Sequence, residues 1–316
     1  MFSPGPMCVI YNPTAGRGMA RRMLRAICRE IRTELILRPT SHLGHAVELA
    51  RESAALGYPV VVAAGGDGTV HEVAHGILEA NRPETVFAVW PVGSANDYAF
   101  ALGVNQWRKV LNSTLQVRSV DVGCVVGGGK SAFYVNCLGV GFNGAVTLES
   151  RRIRLLRGMP LYGLATLKAL WRHFGQPRLR VQFDDLIREV PTLALSVNIG
   201  LREGSFPVTP QADLEDGLFD CIQAGPLTRW QAIKLLPRMA TGTLPYDNEN
   251  LWQGRCRNVR VQSPIPIRVH VDGEFFCQPE DGVRELSIQV LPKRLKVLAA
   301  AIPSGEIGDF SATQSA

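Results

Sequence analysis

The sequence has no long hydrophobic run. Nowhere in its 316 residues does an apolar stretch reach the roughly 18 residues that a membrane-crossing helix needs. Residues 1–6 hold no basic segment ahead of an apolar core, so no secretory signal is expected. There is no repeat of fixed period and no low-complexity block, which argues against a solenoid or a linker-dominated chain. The seven cysteines are odd in number, scattered, and never spaced C-x-x-C. That argues against a zinc ribbon, and free thiols in a reducing cytoplasm are the expectation. Charge of neither sign dominates: 34 Lys and Arg stand against 28 Asp and Glu, a net charge of +6. The small excess suits an anionic partner: nucleotide phosphates, an acidic membrane surface or nucleic acid.

What is there is an ordinary globular balance, 46% hydrophobic and 20% charged, in a chain long enough for two domains. The organising stretch runs from Val60 to Val73. Val60, Val61, Val62, Ala63 and Ala64 form an unbroken apolar run, as a parallel strand buried on both faces requires. Gly65, Gly66, Asp67, Gly68 and Thr69 break it, and Val70, Val73, Ala74, Ile77 and Leu78 then recur with helical spacing. Strand, glycine turn and helix make a phosphate site, because glycine lets backbone approach an anion and the helix N-terminus offers free N–H groups. A carboxylate at Asp67 does not suit a bare phosphate. It suits Mg²⁺, or a hydroxyl that must lose a proton. An ordinary strand-to-helix turn with an Asp near the cap is the alternative.

Two more loops follow strands in the same way. Residues 7–11 read as the first strand, and Asn12, Pro13, Thr14, Ala15 and Gly16 turn from it into a helix with Arg21, Arg22, Arg25 and Arg29 on its solvent side. Residues 35–37 read as the second strand, ending near Thr40, and 86–90 as the fourth. Gly93, Ser94, Ala95, Asn96 and Asp97 lead from that strand into a short helix. The Ser94 hydroxyl can bond a phosphate; Asn96 and Asp97 can equally serve as caps. Alternating strands and helices predict a parallel α/β sheet, whose ligands sit beyond the carboxyl ends of the strands. No G-x-G-x-x-G follows the first strand, so no dinucleotide fingerprint is present.

After Val122 the texture changes to short alternating strands, read at 131–137, 179–183, 192–199, 219–224, 258–262, 267–272 and 285–291. That predicts an antiparallel β domain, sandwich or barrel. The fold class is therefore α/β plus all-β. Residues 1–122 form the α/β domain, 123–293 the β domain, and 303–316 a small polar tail. Residues 149–180 interleave Arg151, Arg152, Arg154, Arg157, Lys168 and Arg172 with Leu155, Leu156, Met159, Leu167, Trp171 and Phe174. This suits a helix lying on an anionic membrane, or a helix covering the β domain with a solvated basic side. The aromatics form no stacking platform, so nucleic acid is not expected. An oligomer is left open.

Gly65-Gly66-Asp67-Gly68-Thr69 and Gly93-Ser94-Ala95-Asn96-Asp97, in that order, with Asn12-Pro13 and Asp272-Gly273-Glu274, resemble the diacylglycerol kinase catalytic family in its soluble bacterial lipid-kinase branch. Its wider relatives are the sphingosine and ceramide kinases. The resemblance runs over most of the chain. It implies an ATP-dependent lipid kinase, cytoplasmic and peripherally membrane-associated, that uses Mg²⁺ and phosphorylates a lipid hydroxyl, most simply that of diacylglycerol. Sphingosine-like and ceramide acceptors, an NAD kinase-like activity on a soluble acceptor, and a non-enzymatic lipid-binding protein are the alternatives. It implies that a strand of about 294–302 returns to the first domain. It assigns ATP to Asn12, Pro13, Thr14, Ala15, Gly16, Thr40, Gly65, Gly66, Asp67, Gly68, Thr69, Val70, His71, Ser94 and Asn96. It groups Asp67, Asp97 and Asp121 around catalytic magnesium and water. It gives the base role first to Glu274, then Asp272, with Asp67 a third candidate. It implies a structural Mg²⁺ at Asp213, Asp216 and Leu218. Ordinary turns remain the alternatives at these last sites.

Overall fold

The computed structural model describes residues 5–31, 33–93, 95–106, 114–153, 155–246 and 249–301. Ser94 and the 303–316 tail lie outside the described residues.

Four parallel strands open the chain: β1 (Met7–Tyr11), β2 (Leu35–Pro39), β3 (Val60–Gly65) and β4 (Val86–Pro91), in spatial order β2-β1-β3-β4. Helices α1 (Met19–Glu30), α2 (His45–Ala55) and α3 (Asp67–Ala80) connect them. The apolar run of β3 has the cause inferred above. Val61 and Ala63 pack in one core with Leu49 and Val73, while Val60, Val62 and Ala64 pack in another with Met23, Leu24 and Ile27. Both faces are covered, so every residue of the strand must be apolar. A short helix, α4 (Asp97–Ala101), follows β4.

The chain then enters a long strand, β5 (Leu115–Gly127), and Val122, read as the domain boundary, lies inside it. β5 pairs antiparallel with β16 (Glu285–Ala300), which also runs parallel to β4 at Lys296 and Val297. The apolar end of the chain thus returns to the first sheet. It does so as one strand with 285–291, where two were expected, interrupted only by an irregular register between Leu291 and Leu295. The same sheet continues through β13 (Asn258–Gln262), β8 (Arg178–Phe183) and β9 (Leu186–Pro191), with β6 (Lys130–Tyr134) beside β5.

A separate sheet is wholly antiparallel, in the order β12 (Leu251–Cys256), β11 (Phe219–Ala224), β10 (Ala194–Asn198), β7 (Cys137–Gly141), β14 (Val269–Val271), β15 (Glu274–Cys277). The fold is α/β plus a β sandwich. The predicted strand over 131–137 is in fact two, β6 and β7, which belong to different sheets. The break at Val135 and Asn136 has a cause given below.

Helices α5 (Phe142–Arg152), α6 (Gly158–Arg172) and α7 (Arg229–Thr241) cover the second sheet. Glu149, fully buried, pairs with Arg152 of its own helix at 2.8 Å and fastens α5 to the end of α6 through Arg172 and His173 at 3.2 Å each. Among the described residues no helix is long and apolar enough to cross a membrane.

Candidate active site

The site grows from the turn after β3. Gly66 and Gly93 are small because two loops meet there backbone to backbone: a Cβ on Gly93 would lie 2.4 Å from the Gly66 Cα, while a Cβ on Gly65 would lie 2.4 Å from the Thr69 side chain. This brings the first turn of α3 against the loop after β4. The Asp67 carboxylate closes the contact by accepting the backbone N–H of Asn96 at 2.9 Å and of Asp97 at 2.8 Å. Asn96 holds a left-handed turn, φ 53°, with its side chain bonded to Gly93. Asp97 in turn accepts the Ser205 N–H at 3.0 Å. The turn that delivers it bends through Gly204 and Ser205 at φ 60° and 71°.

Asp67, half-buried, and Asp97, buried, are therefore neighbours of like charge. Burial raises the pKa of Asp67, against the pull of the N–H groups of Asp97 and Asn96. Burial, with the Asp67 charge added, pushes Asp97 up to about 7. Two such carboxylates repel each other, and the Arg202 guanidinium offsets part of that repulsion at Asp97. That donor set fits a hard divalent ion.

The turn after β14 supplies the opposite wall. Asp272, at φ 51°, accepts four hydrogen bonds: Val135 N–H at 3.0 Å, Asn136 N–H at 2.9 Å, Cys137 N–H at 3.0 Å and His71 Nδ1 at 3.0 Å. These N–H groups turn toward the carboxylate instead of toward a neighbouring strand, which is why β6 and β7 separate there. Burial alone would lower the His71 pKa, but Asp272 with Glu274 and Glu72 raises it. Glu274 is less committed. Its carboxylate takes one bond from Arg151 at 2.7 Å, and Arg151 also bonds the Gly273 carbonyl at 2.9 Å. The Glu274 Oε1 stands 3.0 Å from where a Cβ on Gly68 would be, so the first turn of α3 and the 272–274 turn touch. An alanine at position 68 would press on that carboxylate and shift it by a few tenths of an ångström.

These groups line the mouth of a cavity of about 420 Å³. Asp67, Gly68, His71, Asp97, Asp272 and Glu274 face one end of it. The remainder is largely apolar, with Phe142, Val146, Tyr162, Leu170, Leu193, Phe206, Ile222, Leu235, Met239 and Leu251 from the helices and the second sheet.

Other expected residues lie elsewhere. Asn12 caps its own turn, accepting the Thr14 N–H and hydroxyl at 2.9 and 2.8 Å, and Thr40 N–H donates to the Tyr11 carbonyl at 2.9 Å. Both loops follow strands of the parallel sheet, beyond the ends of β1 and β2. Asp121 does not line the cavity. It is fully buried in β5, where it accepts Gly217 N–H at 2.7 Å and Lys293 N–H at 2.8 Å, tying the 213–218 turn to β16. In that turn Asp216 accepts the Leu218 N–H at 2.9 Å and pairs with the Arg255 guanidinium, and Asp213 accepts the Glu215 N–H at 3.0 Å. The positive charge set against Asp216 is thus Arg255. Sequence reasoning missed four cavity residues: Asn143, Ser196, Glu203 and His270. They come from separate elements with no shared motif, and Glu203 reads as part of a Glu-Gly turn.

Comparison with known proteins shows the family. A family model described as "Diacylglycerol kinase catalytic domain" matches residues 6–125, and one described as "YegS C-terminal NAD kinase beta sandwich-like domain" matches residues 136–299. The chain belongs to the diacylglycerol kinase and YegS-like lipid kinase family. A "Probable lipid kinase YegS-like" protein of Pseudomonas aeruginosa is 31% identical over 92% of this chain and 93% of its own length. The "Diacylglycerol kinase" of Bacillus subtilis is 26% identical, covering 84% of this chain and 89% of that protein. The crystal structure of a diacylglycerol kinase from Bacillus anthracis superposes with a TM-score of 0.69 at 18% identity, over 95% of this chain and 98% of that one, which establishes a common fold. The protein is a kinase of this family.

Proposed function

We propose that this kinase transfers the γ-phosphoryl group of ATP to a lipid hydroxyl, with diacylglycerol the acceptor its relatives' names bring forward. The observation that carries the reading is the cavity itself. A cluster of carboxylates at the N-terminus of α3 opens directly into an apolar chamber of about 420 Å³. A soluble acceptor has no use for such walls; a hydrocarbon chain does.

In this reading the nucleotide phosphates lie against Gly65, Gly66, Gly68, Thr69 and Val70, at the N-terminus of α3, where the helix begins with Val70 N–H donating to the Gly66 carbonyl at 3.0 Å and the positive end of the helix dipole faces the phosphates. Asn12, Pro13, Thr14, Ala15, Gly16, Thr40 and Asn96 border the same sheet end and hold the rest of the nucleotide. Asp67 and Asp97 would hold Mg²⁺, which when bound neutralises charge on the transferred group. Asp121, with both oxygens on backbone N–H groups, supports the fold beside them. Glu274 accepts the proton of the acceptor hydroxyl as its oxygen attacks the γ-phosphorus. The bond from that phosphorus to the β-phosphate oxygen breaks, and ADP leaves. Asp272 has all four lone-pair sites filled and braces the turn that presents Glu274. His71 braces Asp272.

A membrane face follows from the same reading. Leu155 is 87% exposed, Trp171 80% and, on α7, Trp230 75%, and Arg151, Arg152, Arg157, Lys168 and Arg172 are carried on α5, α6 and the segment between them. Exposed apolar side chains and cations on the helices that wall the cavity suit an anionic bilayer surface that supplies the lipid.

The deciding test is transfer of label from γ-labelled ATP with Mg²⁺ to lipids in mixed micelles, with NAD as soluble comparison. Labelled lipid supports the reading. Label on NAD alone, or on nothing, refutes it.

A further inference from the structure

Beside Asn136, Thr147, Thr166 and Tyr162, four polar side chains in the cavity wall hydrogen-bond one another, and the transfer step uses none of them: Asn143, Ser196, Glu203 and His270. Ser196 and His270 are 5% and 2% exposed. Their hydrogen bonds can be counted. Asn143 Nδ2 donates to Glu203 Oε1 at 2.8 Å and to Ser196 Oγ at 2.8 Å. Ser196 donates its hydroxyl proton to Glu203 Oε2 at 2.9 Å. Gly273 N–H donates to His270 Nδ1 at 3.3 Å, which leaves the ring proton on Nε2, and Nε2 donates to Glu203 Oε1 at 3.1 Å. Both amide hydrogens, the hydroxyl and the imidazole N–H are therefore used within the cluster.

What remains is acceptor capacity alone. Glu203 Oε2 keeps a lone pair, Ser196 Oγ keeps a lone pair, and Asn143 Oδ1 has no partner among the described residues. A ligand group that only accepts, such as an ester carbonyl, loses its water here and gains nothing. A hydroxyl, an amide N–H or an ammonium meets a carboxylate. The cluster is also one imidazole away from the turn that carries Glu274, through the Gly273 N–H.

We propose that Glu203, with Asn143 and Ser196, binds a second hydrogen-bond donor on the acceptor's head group. The acceptor is then a lipid diol or amino alcohol, not a lone hydroxyl flanked by esters. This rests on the lipid-kinase reading and narrows its acceptor. Diacylglycerol has no donor besides the hydroxyl that is phosphorylated.

The test uses the full chain with Mg-ATP and four acceptors in mixed micelles: 1-monoacylglycerol, a long-chain amino alcohol, 1,2-diacylglycerol and a plain long-chain primary alcohol. The kcat/KM for the diol or the amino alcohol should exceed that for the last two by about tenfold or more, and the first two arms tell which donor is read. Glu203→Gln should reduce that ratio by about fivefold or more. So should Ser196→Ala, which leaves the Glu203–His270 contact in place. The ratio is the readout because damage to the 272–274 turn slows every acceptor alike. Equal use of diacylglycerol and the diol by the natural protein, or an unchanged ratio in both variants, overturns the proposal and leaves the lipid-kinase reading standing. Label on no lipid overturns both.

Discussion

Replacing Asp272 by Asn should weaken the fold before it touches the chemistry. The Asp272 carboxylate takes Asn136 and Cys137 N–H on Oδ1, and Val135 N–H and His71 on Oδ2. Asparagine keeps one oxygen and turns an NH₂ group toward the other pair. The Val135 N–H then faces a donor and is left unpaired in the interior, a loss of about 1–3 kcal/mol. The two bonds that survive lose their charge assistance, about 1 kcal/mol each. The sum is about 3–5 kcal/mol, a large share of the ~5–15 kcal/mol that holds a folded protein. In thermal unfolding of a chain this long, this is a fall of roughly 5–8 °C. Glu274→Gln is the matched control. Its partner Arg151 is half-exposed, so the ion pair contributes at most about 1 kcal/mol and the midpoint should barely move. Its turnover, however, should drop by about 10²–10⁴ if it is the base. At a temperature where Asp272→Asn is still folded, that variant should keep its turnover within about tenfold. An Asp272→Asn protein that melts with the natural one refutes the hydrogen-bond accounting. Normal turnover in Glu274→Gln refutes the assignment of the base and returns Asp67 to that role.

Gly68→Ala should keep the fold, since alanine gains about 0.5–1 kcal/mol over glycine in a helix, but its methyl would displace the Glu274 carboxylate. Steady-state assays should find kcat down by about tenfold or more with no fall in melting temperature. Asp97 gives a pH signature in the nucleotide-free, metal-free protein. Its folded pKa, raised by burial and Asp67 to about 7, lies above the ordinary carboxylate value. The folded chain therefore binds the extra proton between those values. This contribution to stability is full at the acid end and is lost as pH rises through about 7. Asp97→Asn should flatten the difference in melting temperature between the two sides of that pH. Trp171→Ala combined with Leu155→Ala should reduce sedimentation with anionic vesicles by about tenfold while activity on micellar lipid changes little; unchanged sedimentation removes the membrane face.

The parts of the fold legible in the sequence are those fixed by local physics. β1, β3 and β4 are apolar on both faces, so their runs mark them without any knowledge of neighbours. The glycines at 65, 66 and 93 announce a close approach, although the sequence does not say that the two loops approach each other. Residues whose role is set by distant partners were opaque. The strand break after Tyr134 is caused by a carboxylate at position 272, and nothing between 131 and 137 reports it. β16 looks like two strands because Pro292 and Lys293 mark a kink, at φ 51° for Lys293. Only the length of β5 beside it shows that the chain continues.

The same distinction divides the carboxylates. A motif names an acidic residue but does not count its hydrogen bonds. Asp67, Asp121, Asp272 and Glu274 look alike in sequence. In the structure Asp272 has its four sites taken by three backbone N–H groups and His71, and Asp121 has one backbone N–H on each oxygen and stands off the cavity, whereas Glu274 carries one arginine beside it. Lone-pair capacity therefore separates a brace from a base, which is why the first two of the expected catalytic carboxylates to test are Asp272 and Glu274, as a pair. The count also works in reverse at Glu203. No motif marks it, yet it stands partly buried in the wall of the acceptor cavity, its side chain 15% exposed, with a lone pair left and the donors of Asn143, Ser196 and His270 used. A carboxylate with spare capacity in such a chamber selects for a ligand that brings a proton to share.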